Sequence, residues 1–191
     1  MIRVTKIKNG IEPGTEIPER QKHGNVGRWA EAVMEDNGHN IEHGAGCDMP
    51  EYGVEMKTRK VESNSPHTVG TMRFGDIIST PYDQSLIFEK FQRQYRIHYS
   101  DEGQVVLTSE VYDLTEEFIQ SKIRGAYEEG RKQIAQNELN GFHPPYVKGN
   151  EWGHFEVSES YSSYRFRIPN NAMKKIETAV KNAKTFKKFF E

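Results

Sequence analysis

Hydrophobic and polar positions repeat with two different periods along the chain, and the two periods predict helices and strands in a mixed order. Helical spacing predicts helices over residues 24–36, 83–97, 113–139 and 171–190. Alternating or continuous apolar runs predict strands over residues 53–61, 68–78 and 105–112, and a hairpin made of 152–157 and 161–168. The order of these elements predicts an α/β domain with a central mixed β-sheet flanked by α-helices.

Several of these elements carry expectations about burial. The continuous apolar start of the strand over 105–112 predicts a position in the middle of a sheet. In the helix predicted over 83–97, Arg93 and Arg96 are expected to be solvated charges, with phosphate contact as the alternative. Residues 95–99 also suit the beginning of a strand. The inward positions predicted for the long helix over 113–139 are Phe118, Ile119, Ile123, Ala126, Tyr127 and Ile134.

The composition adds limits on the class of protein. The chain has 191 residues, 35% of them hydrophobic, which suits one domain with a substantial core. No apolar run approaches the roughly 20 residues that span a bilayer. We therefore expect no membrane partner, and the single cysteine, Cys47, suits a reducing, cytoplasmic location. With a net charge of -2, the chain does not have the overall positive potential of a protein that coats DNA non-specifically.

One short stretch, residues 48–57, carries the candidate chemistry. Side chains alternate between the faces of a strand, so Glu55 and Lys57 point to one side. If Asp48 folds back beside that side, two carboxylates and an ammonium group converge. Two carboxylates hold a hard divalent cation through oxygen, and a lysine orients a water or stabilises charge on a phosphate. The stretch therefore predicts metal-dependent phosphodiester hydrolysis.

The spacing of these residues, an Asp, six residues, a Glu, one residue and a Lys, resembles the active-site motif of the PD-(D/E)xK nuclease superfamily. The run from Gly53 to Thr58 is most similar to its MutH-type branch. Upstream, the Gly-x-Val-Gly-x-x-x-Glu pattern over residues 24–31 is similar to that branch's first helix. In that branch a lysine directly precedes this helix, whereas here His23 takes that place and Lys22 lies one residue earlier. The resemblance covers roughly residues 22–60.

This resemblance implies a restriction-endonuclease-like fold and a magnesium-dependent DNA endonuclease, with Mn²⁺ expected to substitute for Mg²⁺. It implies that Asp48 and Glu55 ligate the metal, together with the Met56 carbonyl. Lys57 would then activate the attacking water, and Glu31 would add a further catalytic carboxylate. The expected reaction is sequence-specific cleavage or nicking of double-stranded DNA that leaves a 5′-phosphate and a 3′-hydroxyl.

Two groups of polar side chains are candidates for contact with DNA. Arg59 and Lys60 extend the catalytic strand with positive charge, and Asn64 lies in the polar loop that follows. Arg165 and Arg167 share one face of the predicted hairpin, and arginine reads guanine in the major groove as well as phosphate. A two-fold homodimer suits a palindromic site cut on both strands, whereas a monomer suits nicking.

Other functions fit part of the same pattern. A phage or repair nuclease that acts on branched or damaged DNA uses the same catalytic motif. Alternatively, Asp48, Glu55 and Lys57 form a surface ion-pair set on a non-catalytic DNA-binding protein. The four-residue spacing of His39, His43 and Cys47 suggests zinc, but Gly44 and Gly46 favour a turn there instead of a ligand-bearing helix.

Overall fold

Helices and strands alternate along the described residues of the computed structural model, which are 7–19, 26–44, 46–100, 104–158 and 162–188. The helices are α1 (Val26–Asp36), α2 (Phe74–Ser79), α3 (Leu86–Lys90), α4 (Glu117–Leu139) and α5 (Asn170–Lys188). The strands are β1 (Glu55–Lys60), β2 (His67–Arg73), β3 (Arg93–Ser100), β4 (Val105–Asp113), β5 (Tyr146–Asn150), β6 (Gly153–Val157) and β7 (Ser163–Ile168).

The chain forms two compact units. Unit 1 comprises Met1–Asn64 and Gln92–Asp113, and unit 2 comprises Ser65–Phe91 and Leu114–Glu191. The chain therefore leaves unit 1 after β1 and returns to it at β3. The single endonuclease domain expected from the sequence stays a prediction.

Unit 1 contains a mixed sheet in the order β1-β3-β4, in which β1 is parallel to β3 and β3 is antiparallel to β4. The apolar face of α1 packs against β1 and the rest of one sheet face. Tyr95 adds a polar anchor within this core, because its hydroxyl oxygen accepts a hydrogen bond from the Ile11 backbone N–H at 2.9 Å. The predicted α/β architecture with a mixed sheet is thereby confirmed.

Unit 2 contains an antiparallel sheet in the order β2-β7-β6-β5, with α4 packed against β5 and β6. A cluster of rings fills its interior, where Tyr127 of α4 lies within 5.5 Å of the Phe155 ring centroid and 6.0 Å of that of Phe166. Two glycines permit the close approach of helix and sheet. A Cβ at Gly130 would lie 2.6 Å from the Phe155 ring, and a Cβ at Gly149 would collide with the Ala126 carbonyl.

The prediction of a helix over 83–97 is wrong for the residues from 93 onward, which form a strand. A 3₁₀ turn over Tyr82–Gln84 and the short α3 occupy the first half, and β3 begins at Arg93. Local helical spacing around Ile87 and Phe91 masked the two-residue alternation that follows it. Arg96, expected as a solvated charge on a helix, is instead a strand residue that is only 4% exposed.

Three smaller expectations also differ from the structure. The strand expected over 68–78 ends at Arg73, where α2 begins. β4 matches the predicted strand but comes last in the described strand order β1-β3-β4, and on its other side only its first residues pair, with residues 14–17 among the described residues. Phe118 is 60% exposed, since it lies one position before the buried stripe that starts at Ile119.

The remaining predicted elements agree with the structure. The helix over 24–36 corresponds to α1 from residue 26 onward, and the hairpin corresponds to β6 and β7, with Tyr164, Phe166 and Ile168 buried on one face. The patterns at 22–25 and 161 and the last residues of the predicted final helix lie outside the described residues. Within the described residues, no helix combines the length and apolar character needed to cross a membrane.

Candidate active site

A tight turn brings Asp48 back beside β1. Met49 and Val54 exchange backbone hydrogen bonds across the turn, with N···O distances of 2.9 and 3.2 Å, and both side chains are fully buried. Gly53 takes a left-handed conformation, with φ of 59°, that most other residues adopt only with strain. As a result, Asp48 Oδ2 accepts a hydrogen bond of 2.8 Å from the Met56 backbone N–H.

Glu55 and Lys57 form a close pair on one face of β1. Lys57 Nζ donates to Glu55 Oε1 at 2.7 Å, as expected for side chains two residues apart on a strand. The Glu55 side chain is only 3% exposed, whereas Lys57 keeps 27% of its side-chain surface open to solvent. A buried carboxylate is costly without a partner, and the ammonium group offsets that cost.

Glu31 approaches the site from α1. The first turn of that helix lies over β1, since a Cβ at Gly27 would come 3.7 Å from Thr58 Oγ1. Burial raises the pKa of Glu31 above its usual value, and the nearby negative charge of Asp48 raises it further. His43 acts in the opposite direction, with its Nδ1 3.5 Å from Glu31 Oε2.

The three carboxylates therefore occupy three sides of one strand. Glu31 lies on the side of α1, Asp48 lies along the edge at Met56, and Glu55 lies on the opposite face with Lys57. Within the part of the chain that the structure describes, no three His, Cys, Asp or Glu side chains are arranged to hold one metal ion. The charge of Asp48 thus acts on Glu31 by raising its pKa, and the Asp48 carboxylate contacts β1 through the Met56 backbone N–H.

The donor set fits a hard cation such as Mg²⁺. Its protein atoms are carboxylate oxygens, and Mg²⁺ commonly takes one or two carboxylates and keeps several waters. Burial is the main cause of the raised pKa of Glu31, and the charge of Asp48 adds to it; a bound cation would offset this second contribution. The residues present therefore suit a site with Asp48 and Glu55 as ligands, and the Met56 carbonyl stays a predicted third.

Sequence reasoning missed Gln94 and Arg96 as members of this site. In the parallel ladder Glu55 pairs with Gln94, and Lys57 pairs with Arg96, so these four side chains share one face of the sheet. Gln94 is 1% exposed and Arg96 is 4% exposed. The signal that could have found them is the alternation of Gln94 and Arg96 with the buried Tyr95 and Ile97.

The predicted DNA-contacting residues of unit 1 follow Glu55 and Lys57 along the chain. Arg59 Nη2 donates to the Ser63 carbonyl at 2.6 Å, which ties the end of β1 to the loop that follows. Arg59 and Lys60 are half-buried, and Asn64 is exposed. Their contact with DNA stays a prediction.

The predicted DNA-contacting residues of unit 2, Arg165 and Arg167, share one face of β7. Arg167 is held within its own unit: Nη1 donates to Glu156 Oε2 at 2.5 Å, and Nη2 donates to the Pro66 carbonyl at 3.1 Å. Its side chain is 18% exposed. Arg165 is half-buried as well.

In this geometry Lys57 contacts the Glu55 carboxylate, and Asp48 contacts the backbone of the same strand. Compared with protein-family models and with curated proteins, the chain gives no match.

Proposed function

We propose that the protein is a magnesium-dependent DNA endonuclease with a restriction-endonuclease-like fold. One observation carries the proposal: the turn over 49–54 places Asp48 against the Met56 N–H, directly beside the Glu55–Lys57 pair. Asp48 thus contacts the backbone of the strand whose side chains include Glu55 and Lys57. The mixed sheet of unit 1, with α1 packed on β1, also supports the endonuclease proposal. It is in keeping with the resemblance of residues 22–60 to the MutH-type branch.

Each residue has a role that follows from its position. Asp48 and Glu55, with the Met56 carbonyl, hold Mg²⁺, and Mn²⁺ substitutes because it also accepts oxygen ligands. When bound, the metal supplies positive charge against the phosphate and makes a water more acidic. Lys57 orients the attacking water and stabilises charge on the phosphate. Glu31, with its raised pKa, is a better proton acceptor than an ordinary glutamate.

The proposed bond changes are those of hydrolysis. The water oxygen bonds to phosphorus, the bond from phosphorus to the 3′ oxygen breaks, and the departing oxygen takes a proton. The products are a 5′-phosphate and a 3′-hydroxyl. Double-stranded DNA is the proposed partner, contacted by Arg59, Lys60 and Asn64 in unit 1 and by Arg165 and Arg167 in unit 2. A homodimer would suit cleavage of both strands.

The test is incubation with supercoiled plasmid, with and without Mg²⁺. We expect nicked circles or discrete linear fragments that require the metal. Lys57→Met and Glu55→Gln should lower the rate by about 100-fold or more, because the first removes the group that stabilises charge on the phosphate and the second removes a proposed metal ligand. The matched control is Lys132→Met, which removes an exposed lysine of α4.

The outcomes separate the candidate functions. Discrete fragments from a plasmid identify a sequence-specific enzyme, and mapping of their ends gives its site. Cleavage restricted to branched or damaged DNA identifies a structure-specific nuclease. If the wild-type protein cuts neither plasmid nor branched DNA, whether methylated or not, the endonuclease proposal is rejected in favour of a DNA-binding protein in which Glu55 and Lys57 form a structural ion pair.

A further inference from the structure

Two neighbouring strands of unit 1 carry the same local arrangement side by side. On β1, Lys57 reaches back to Glu55 at 2.7 Å, and on β3, Arg96 Nε reaches back to Gln94 Oε1 at 3.0 Å. The parallel register aligns Glu55 with Gln94 and Lys57 with Arg96. The four side chains therefore form a two-by-two polar block on one sheet face, with the strands about 4.8 Å apart.

The β3 half of this block is almost completely buried, although it contains the charged side chain of Arg96. Gln94 and Arg96 are 1% and 4% exposed, and the guanidinium lies 5.6 Å from the centre of the Tyr112 ring, which is itself buried. Burial of such groups is costly, and apolar residues of similar volume often give an equal or higher stability. Apolar residues could therefore serve the packing at these two positions.

The position of the block indicates what the pair does. The Gln94 carbonyl oxygen is engaged by Arg96, so the amide of Gln94 is fixed in orientation next to Glu55. Arg96 lies beside Lys57 in the ladder, and two cations at that spacing repel each other. The 2.7 Å contact between Lys57 Nζ and Glu55 Oε1 lies along a single strand, which is the arrangement that this repulsion favours.

We propose that Gln94 and Arg96 are positioning residues that hold Glu55 and Lys57 in the geometry for metal binding and for attack on phosphate. This inference rests on the proposed endonuclease function. Arg96 acts through its neighbours, since its Nε bonds to Gln94 and its guanidinium lies against the Tyr112 ring. The pair is thus distinct from Arg59 and Lys60, whose predicted role is direct contact with DNA.

The test compares Gln94→Met and Arg96→Met with the wild-type protein by two readouts. Plasmid cleavage should show kcat lower by about 10–100-fold with little change in KM, which is the usual effect of removing residues that orient metal ligands. Mn²⁺ binding, measured by electron paramagnetic resonance without DNA, should weaken by a similar factor. Arg96→Lys keeps the charge and should recover part of the loss. Gln136→Met, at an exposed position of α4, is the control.

A double variant, Gln94→Met with Arg96→Met, separates positioning from a purely structural role. Because it replaces both partners with apolar side chains, it should melt at or above the wild-type temperature while kcat stays low. A lower melting temperature with wild-type kcat below that temperature would show a purely structural pair. Should the double variant not fold, Gln94→Met and Arg96→Lys decide the question by the same two readouts.

Different experimental results would overturn the positioning role and the proposed endonuclease function. If the wild-type protein cleaves DNA and binds Mn²⁺, and the variants match it in kcat and in Mn²⁺ affinity, the positioning role is overturned and the endonuclease remains. If the wild-type protein neither cleaves DNA nor binds Mn²⁺, both are overturned together.

Discussion

Glu31 shows how a single residue can be placed for chemistry at a cost to the fold. Its carboxyl group is partly buried on α1 and lies near the negative charge of Asp48, and both effects raise its pKa. A carboxyl group whose pKa is raised by folding favours the folded state while it is protonated. That contribution is complete below the ordinary value of 4.5 and is lost as the pH rises through the folded pKa.

Glu31→Gln should therefore stabilise the protein at neutral pH. The amide cannot ionise, so the variant avoids the unfavourable charge, and we expect its Tm to exceed that of the wild type by about 2 °C near pH 7. Near pH 4 the two proteins should melt at nearly the same temperature. Thermal unfolding followed by circular dichroism at both pH values measures the difference.

The control for this prediction is Glu35→Gln, one turn later on the same helix face toward His43. A variant Glu31→Gln that melts below the wild type near pH 7 would mean that the carboxylate is stabilising, in conflict with its raised pKa. Activity should fall in the same variant if Glu31 accepts a proton during the reaction, so stability and activity are expected to change in opposite directions.

At the scale of the elements, the sequence predicted best what depends on near neighbours. Asp48, Glu55 and Lys57 lie within ten residues of each other, and the turn that joins them is signalled by Gly53. The alternation of Tyr164 and Phe166 with Arg165 and Arg167 was likewise sufficient to predict both faces of β7. In these cases the pattern and the local geometry carry the same information.

What the sequence did not reveal depends on pairing between distant segments. The contact of β1 with β3 joins residues that are separated by the first part of unit 2, and nothing near Glu55 indicates that Gln94 lies beside it. The same is true of β4, whose apolar run suggested a central strand although β3 holds that place. Register and strand order are properties of the folded sheet, which local periodicity does not encode.

The packing of α4 on β5 gives a prediction at the same scale. A Cβ at Gly149 would collide with the Ala126 carbonyl and lie 2.7 Å from the Gly153 carbonyl, and backbone atoms cannot move aside as a side chain does. Gly149→Ala should lower the free energy of unfolding by about 1–3 kcal/mol, as other overpacking substitutions do. Urea denaturation measures the change.

Gly75→Ala is the matched control, because a Cβ at this position of α2 meets no atom within 4 Å. Alanine is the better helix former, so this variant should gain up to about 1 kcal/mol. Equal stability of Gly149→Ala and the wild type would show that helix and strand separate at little cost.

At the scale of the whole molecule, bound metal should change stability as well as activity. A ligand that binds only the folded protein stabilises it by RT ln(1 + [L]/Kd), or about 2.7 kcal/mol at a concentration 100 times the dissociation constant. We therefore expect saturating Mg²⁺ to raise the wild-type Tm by about 5–10 °C. Differential scanning calorimetry with and without Mg²⁺ measures this shift.

Asp48→Asn and Glu55→Gln should lose most of that shift, whereas Glu129→Gln, at an exposed position of α4, should retain it. An equal shift in all four proteins would place the ion elsewhere on the molecule. The measurement needs no DNA, so it tests the proposed ligands even before a cleavable sequence is known.

Asp48 also affects how the molecule behaves among copies of itself. Within the described residues β1 is an outer strand, and the outer edge of a sheet offers unpaired N–H groups to any extended chain that approaches. The Asp48 carboxylate covers one of those groups, the Met56 N–H, and adds a charge beside it. A residue proposed to hold the metal thus also acts as a gatekeeper against edge-to-edge aggregation, and its loss would expose a site for strand addition.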